Sequence, residues 1–325
     1  MEQELLIGVD GGGTHSTAVA THPDGRVVAV ARGEGLNFLN IGVPAARVRL
    51  EKLLCALQDR CKQAPIRQVC VGISALDATA DASTVSLFAI GGLKAEQLDL
   101  QSDAYIALMG LTLGGPGLIA ICGTGSMLLM MDGNGQQHIS GGWGYLLRDA
   151  GSGYALAREG LLAVIDQAEG MGPKTALTED AMRYFRVDSI RQLIERIYAP
   201  QFTPDRLAGF GRWVLQEAER GDAPARAILQ RNMERLAGQA CRLMQGRPEV
   251  RRAGLYGGIF RHSALASAWF AEALRRLQPG AETMAPEYPP ELGAVIHLHR
   301  KRGTCNAQIL RTLKSTYEEI CHECD

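Results

Sequence analysis

Leu5-Leu6-Ile7-Gly8-Val9-Asp10-Gly11-Gly12-Gly13-Thr14 sets an apolar run against an aspartate and a cluster of glycines. The run reads as a buried strand and the glycines as a turn; Thr17 to Ala20 continue as a strand, and Asp24-Gly25 turns into a third at Val27 to Val30. The same plan recurs far down the chain. Leu118 to Cys122 is a strand, Gly123-Thr124-Gly125-Ser126 a glycine turn, Met127 to Met131 a strand, and Asp132 to Gly135 a turn toward Gln137 to Ser140. Two copies of strand, glycine turn, strand, Asp-Gly turn, strand predict two related halves.

Helix and strand signals alternate around these copies. The pattern predicts a helix over Pro44 to Ala64, a strand at Gln68 to Ile73, a helix around Ala82 to Ile90, a short strand at Gln97 to Leu100 and a helix opening at Ser102 or Asp103. The stretch from Gly153 to Gly246 reads as mostly helical, a strand returns at Gly254 to Tyr256, and Pro289-Pro290 precedes a final helix from Leu292 onward. The break at Gly114-Gly115-Pro116-Gly117 divides a first lobe, residues 1–115, from a second lobe with helical insertions, residues 116–297, leaving a helical tail at 298–325.

Composition narrows the partners. Of 325 residues 46% are hydrophobic, and 34 basic side chains nearly balance 35 acidic ones, so the chain has enough apolar residues for two cores and no general field for nucleic acid or anionic lipid. The apolar run Leu118 to Met131 is interrupted by its glycine turn and falls short of the ~18 residues a membrane span needs. The first residues carry two glutamates where a signal peptide needs positive charge, and eight scattered cysteines suit reduced thiols, so a cytoplasmic location is expected.

Glycine turns between strands bring backbone N–H groups together with no Cβ in the way, and such groups converge on anions. Gly11, Gly12, Gly13 and Thr14 therefore read as a phosphate cradle, with Asp10 placed to hold Mg2+, and Gly123, Thr124 and Gly125 offer the same chemistry from the second half. Neither is a Walker loop, because no Gly-Lys-Ser/Thr follows, and neither is a dinucleotide fingerprint, because a hairpin follows instead of a helix. A tight hairpin with no ligand is the plain alternative for each turn taken singly.

Taken with Ser102-Asp103-Ala104, Gly141-Gly142-Trp143-Gly144, Asp149-Ala150-Gly151-Ser152-Gly153 and Gly257-Gly258, these motifs resemble the actin-like ATPase and sugar kinase superfamily. Within it the likeness is to the N-acetylglucosamine kinase family of the BadF/BadG/BcrA/BcrD ATPase type. The motifs run to about residue 300 in the family's order. The resemblance implies an α/β fold of two duplicated ribonuclease-H-like lobes with ATP and sugar in an interlobe cleft, a homodimer, and transfer of the ATP γ-phosphate to the 6-hydroxyl of an amino sugar. N-acetylglucosamine comes first as substrate and glucosamine second. A more distant alternative is an ATPase that activates a radical dehydratase or reductase, which needs closely placed cluster-binding cysteines; Cys122 beside the second turn has no cysteine partner before Cys241.

The resemblance also assigns roles. Read alone, Asp103 is a helix-capping aspartate; the family makes it the base that takes the proton from the attacking sugar hydroxyl, and a sugar contact. Asn37, otherwise a turn asparagine, together with Ser126, Met127, Gly142, Trp143, Gly144 and Asp149, would line the sugar site, although a tryptophan read alone belongs in a core. Gly257 and Gly258, and by extension Ile259, would line the adenosine pocket. Ala150 stands where the family usually has glutamate.

Overall fold

The opening apolar run forms β1 (Leu5–Gly11), buried on both faces. It pairs antiparallel with β2 (His15–Thr21), and β2 with β3 (Val27–Glu34); β4 (Ile66–Ile73) and β5 (Leu98–Ser102) add in parallel on the other side, giving the order β3-β2-β1-β4-β5. The structure, a computed structural model, describes residues 4–74, 76, 93–147 and 149–322. Between β3 and β4 run the short α1 (Phe38–Ile41) and α2 (Val43–Arg60), and α3 (Asp103–Thr112) follows β5. Alternation divides β1 between two layers. Leu5, Ile7 and Val9 pack with Leu50, Leu53, Leu54 and Leu57, which recur at helical spacing along α2. The helix expected around Ala82 to Ile90 lies outside the described residues.

The second unit, Pro116–Ala285, repeats the sheet. β6 (Gly117–Cys122), β7 (Ser126–Met131) and β8 (Gln137–Gly141) form the antiparallel meander, while β9 (Arg252–Tyr256) and β10 (Glu282–Met284) add in parallel, in the order β10-β9-β6-β7-β8. Read from its other edge this is the first sheet's order, so the echo in the sequence is a duplicated architecture of the α/β type expected. Six helices separate β8 from β9 among the described residues: α4 (Gly153–Ala168), α5 (Leu177–Phe185), α6 (Ile190–Ile197), α7 (Pro204–Ala208), α8 (Gly211–Arg220) and α9 (Ala223–Met244). The short α10 (Gly258–His262) and α11 (Ala264–Leu277) lie between β9 and β10.

The chain then returns to the first unit through α12 (Pro290–Lys301) and α13 (Ala307–His322). This corrects the expected division, which left residues up to 297 with the second lobe and made 298–325 a separate tail: Pro286–Asp325 belongs with Met1–Gly115. The cause is packing that only glycine allows. A Cβ on Gly8 of β1 would lie 2.1 Å from the Glu291 carbonyl oxygen, and one on Gly293 of α12 would lie 1.9 Å from that of Ile106 on α3. Backbone thus rests on backbone, and Ala294 and Leu298 of α12 join Leu6, Cys70 and Ile106 to cover the second face of the sheet. The single final helix expected from Leu292 is two helices, broken at Gly303 (φ 66°) and restarted where Asn306 Oδ1 accepts from the N–H groups of Gln308 and Ile309 at 2.9 and 3.0 Å. Among the described residues no helix is long and apolar enough to cross a membrane.

Candidate functional site

In the first unit the end of β1 and the start of α3 bring Asp10 and Asp103 together, each half-buried. Ser102, not Asp103, caps α3: its Oγ accepts from the Tyr105 N–H at 3.1 Å. Asp103 sits one residue inside, with Oδ1 accepting from the Ala104 N–H at 2.8 Å, so its second oxygen is free of the capping task that the sequence alone favoured. Burial raises the Asp103 carboxyl, and the N–H groups of Ala104 and of Asp103 itself oppose that rise.

Glu291, at the start of α12, is the third carboxylate here and was not singled out from the sequence. A lone acid followed by Leu292-Gly293-Ala294-Val295-Ile296 is the signal that could have found it. Buried, it accepts from the Tyr317 hydroxyl on α13. Burial, then the charge of Glu291, then that of Asp103 lift the Asp10 carboxyl to about 8. Such crowding of negative charge is relieved by a cation. Among the described residues no three His, Cys, Asp or Glu side chains are arranged to ligate one metal directly. The oxygen donor of Asp10 would suit Mg2+, which takes few carboxylates and keeps several waters.

The first glycine turn lies beside these acids. Gly11, Gly12 and Gly13 do not have positive φ; what they supply is room. A Cβ on Gly11 would lie 2.8 Å from the Gly72 carbonyl oxygen, whereas one on Gly13 would meet nothing. The carbonyls of Thr14 and Gly12 accept from Gly35 and Leu36, each at 3.0 Å, which ties the turn to the start of α1. There Asn37 caps the helix, its Oδ1 accepting from the Leu39 N–H at 3.1 Å, so the group it has left for a ligand is its NH2.

The second unit builds its turn differently. The N–H groups of Gly153 and Tyr154, at the start of α4, donate to the carbonyls of Gly123 (2.7 Å) and Thr124 (3.3 Å), so helix and turn are one rigid piece. Ser126 spends its hydroxyl on the Ala150 carbonyl at 2.8 Å. Asp149 is buried against this turn: one oxygen lies 2.9 Å from where a Gly125 Cβ would be, and the other, Oδ1, has no hydrogen-bond partner among the described residues. Burial raises its carboxyl, opposed by the N–H groups of Ser126 and Gly144. An unpartnered buried carboxylate oxygen is costly unless a ligand donates to it.

Gly141, Gly142 and Gly144 all have positive φ and present Trp143 to solvent at 69% exposure, so the core reading of this tryptophan does not hold. Gly142 packs beside Met127. Gly151, next to Ala150, donates to Asn232 Oδ1 at 3.1 Å, and Asn232 Nδ2 to Glu159 Oε1 at 3.1 Å; these two supports of the loop carried no sequence signal. At the end of β9, a Cβ on Gly257 would lie 2.3 Å from the Cys122 carbonyl oxygen, fixing the approach of that strand end to the second turn. Gly258 opens α10, and the Ile259 side chain is buried in the core, leaving only its backbone to a ligand.

Residues 7–297 match the sequence profile described as the BadF/BadG/BcrA/BcrD ATPase family. The chain belongs to this family. As a member of an ATPase family it uses ATP. It is 29% identical over 242 residues to the N-acetyl-D-glucosamine kinase of Dictyostelium discoideum, covering 70% of this chain and 76% of that one. It is 27% identical over 230 residues to the N-acetylmuramic acid/N-acetylglucosamine kinase of Clostridium acetobutylicum, covering 70% and 74%. The fold is that of a candidate N-acetylglucosamine kinase from Chromobacterium violaceum, with a TM-score of 0.76 and 25% identity over 92% of this chain and all of the other.

Proposed function

We propose that this chain is an ATP-dependent amino-sugar kinase that phosphorylates N-acetylglucosamine, at the 6-hydroxyl, with glucosamine as the second candidate. The observation that carries the reading is Asp149. Its buried carboxylate lies against the second phosphate turn with one oxygen lacking a hydrogen-bond partner among the described residues, and a sugar hydroxyl would supply that donor. The named relatives support the same class of acceptor.

The roles follow from the chemistry of each group. The turns at 11–14 and 123–125 hold phosphates through backbone N–H groups, and Gly257, Gly258 and the backbone of Ile259 lie against the adenosine. Asp10 would hold Mg2+, whose charge would offset that of the phosphates. Asp103 orients the sugar hydroxyl; as its oxygen bonds to the γ-phosphorus, the bond to the bridging oxygen of ADP breaks and the hydroxyl proton passes to the Asp103 carboxylate. The Asn37 amide, Met127, the Gly142–Gly144 backbone, the Trp143 face and Asp149 contact the sugar, and Ser126 holds their loop. We place the enzyme in the cytoplasm, as a homodimer. The activator alternative is weakened by Cys122, which is fully buried with its thiol pushed well up by burial, unlike a cluster ligand.

The test is ATP consumption with Mg2+ against a panel of hexoses, hexosamines and N-acetylhexosamines, with the phosphorylated product identified. Phosphorylation of an amino sugar is the expected result. ATP binding with no acceptor phosphorylated would overturn the proposal.

A further inference from the structure

Away from the residues discussed so far, the helical layer of the second unit carries a cavity of about 300 Å³ lined by Tyr184, Phe185, Arg186, Arg196, Phe202 and Arg206. Its floor is aromatic. Phe185 is buried, and its ring lies 4.8 Å from that of Tyr184 and 6.0 Å from that of Phe202. Its rim is cationic, with no acidic side chain in the lining. Among the described residues Arg183, Arg191 and Arg220 of the same layer have carboxylate partners, whereas Arg186, Arg196 and Arg206 have none.

Two details argue that the rim is held in place. The Tyr184 hydroxyl donates to the Arg206 carbonyl at 2.9 Å, fixing that backbone to the floor. Arg186 ends α5 in the left-handed conformation (φ 56°, ψ 57°), a position that glycine or asparagine fills at lower cost.

Guanidinium forks match phosphate oxygens in pairs, and an aromatic floor accepts the face of a ring. The volume is at the small end for ligand sites, the scale of a monosaccharide or a nucleoside. We propose that this cavity, lined by none of the residues assigned to catalysis, is a second ligand site for a small phosphomonoester carried on a ring. Two sources share that chemistry: a phosphorylated amino sugar, which rests on the kinase reading as its product, and a nucleoside monophosphate, which does not.

Calorimetric titration with N-acetylglucosamine 6-phosphate, AMP and inorganic phosphate distinguishes them. One ester should bind the wild-type protein, with inorganic phosphate at least tenfold weaker. Arg196→Glu combined with Arg206→Glu should raise the Kd of that ester at least tenfold while leaving kcat, both catalytic KM values and the thermal melt unchanged. Asp149→Asn, which weakens the proposed catalytic sugar site, should leave it within twofold. The milder Arg196→Gln with Arg206→Gln should give an intermediate Kd. Ester binding that survives the double charge reversal, no binding of either ester at millimolar concentration, or inorganic phosphate binding as tightly as both esters would each overturn the proposal. A wild-type protein without turnover would sink the kinase reading alone, because the titration needs no catalysis.

Discussion

A methyl group on Gly13 of the first glycine turn would point into open space, whereas one on Gly125 of the second would be driven to 2.9 Å from an oxygen of Asp149. The copies therefore use the same residue type for opposite ends. The first keeps a space empty and places Asp10, Asp103 and Glu291 behind it; the second keeps room for a carboxylate of its own and is bonded rigidly to the start of α4. A shared strand-turn-strand plan fixes where each turn lies, and the segment packed behind it decides what it does.

The largest expected effect breaks the first turn's chemistry and leaves its architecture. Asp103→Asn keeps the Ser102 cap and the helix but removes the proton acceptor, and kcat should fall by ~10²- to 10⁴-fold with both substrates still binding. Ser102→Ala should do the reverse, costing about 1 kcal/mol of stability with turnover retained. Activity of Asp103→Asn above about a tenth of wild type would remove the base assignment.

Next comes Gly125→Ala, which displaces Asp149 and should raise the sugar KM on the order of tenfold, the scale of one hydrogen bond to a charged group, with the ATP KM nearly constant. A smaller change is expected of Gly13→Ala. Its Cβ meets no protein atom, so thermal stability should hold while the ATP KM rises a few-fold through lost access to the phosphates. Equal effects of the two alanines on both KM values would erase the distinction between the turns.

How much of this was legible in the sequence differs by kind of interaction. The two hairpins were, since they depend on contiguous alternation and glycines. The destination of α12 was not: it depends on Gly8, Gly110 and Gly293 meeting carbonyls from distant segments, with Gly110 placed 2.2 Å from the Tyr288 carbonyl oxygen had it a Cβ, and no local pattern records that contact. Asp103 was found, but the hydroxyl that frees it was not, because Ser102 and Asp103 are equally good caps on paper. Asn232 and Glu159 escaped notice as ordinary members of polar helical stretches, and only the fold places them under the Asp149 loop.

The smallest effect lies in the first unit. His299 of α12 is held neutral: burial first, then the charge of Arg302, lower its pKa to about 4, against a weaker opposing pull from Asp24. Its Nδ1 lies 2.9 Å from the Thr304 hydroxyl, and its Nε2 is buried without a partner among the described residues. The unfolded chain takes up that proton near pH ~6.5 and the folded chain only near pH 4, so stability is full above ~6.5 and is lost as pH falls through that window. Amide protection, corrected for the intrinsic exchange rate at each pH, should fall further between pH 7 and pH 5 in β1, α3 and α12 of the wild type than in His299→Leu, the raised carboxyls of Asp10, Asp103 and Glu291 acting the opposite way in both proteins. The same change in protection in wild type and His299→Leu would remove His299 as its origin.

The return of α12 and α13 also dictates an order of assembly. On the ribosome β1 to β5 emerge first, yet the helix that meets Gly8 and Ile106 is made only after Ala285. The second unit has all of its sequence by then and is free to fold as an inserted body. The earliest strands wait with the second face of their sheet covered by α3 alone. The segment made first is therefore the one whose core is completed last, when α12 and α13 pack onto it.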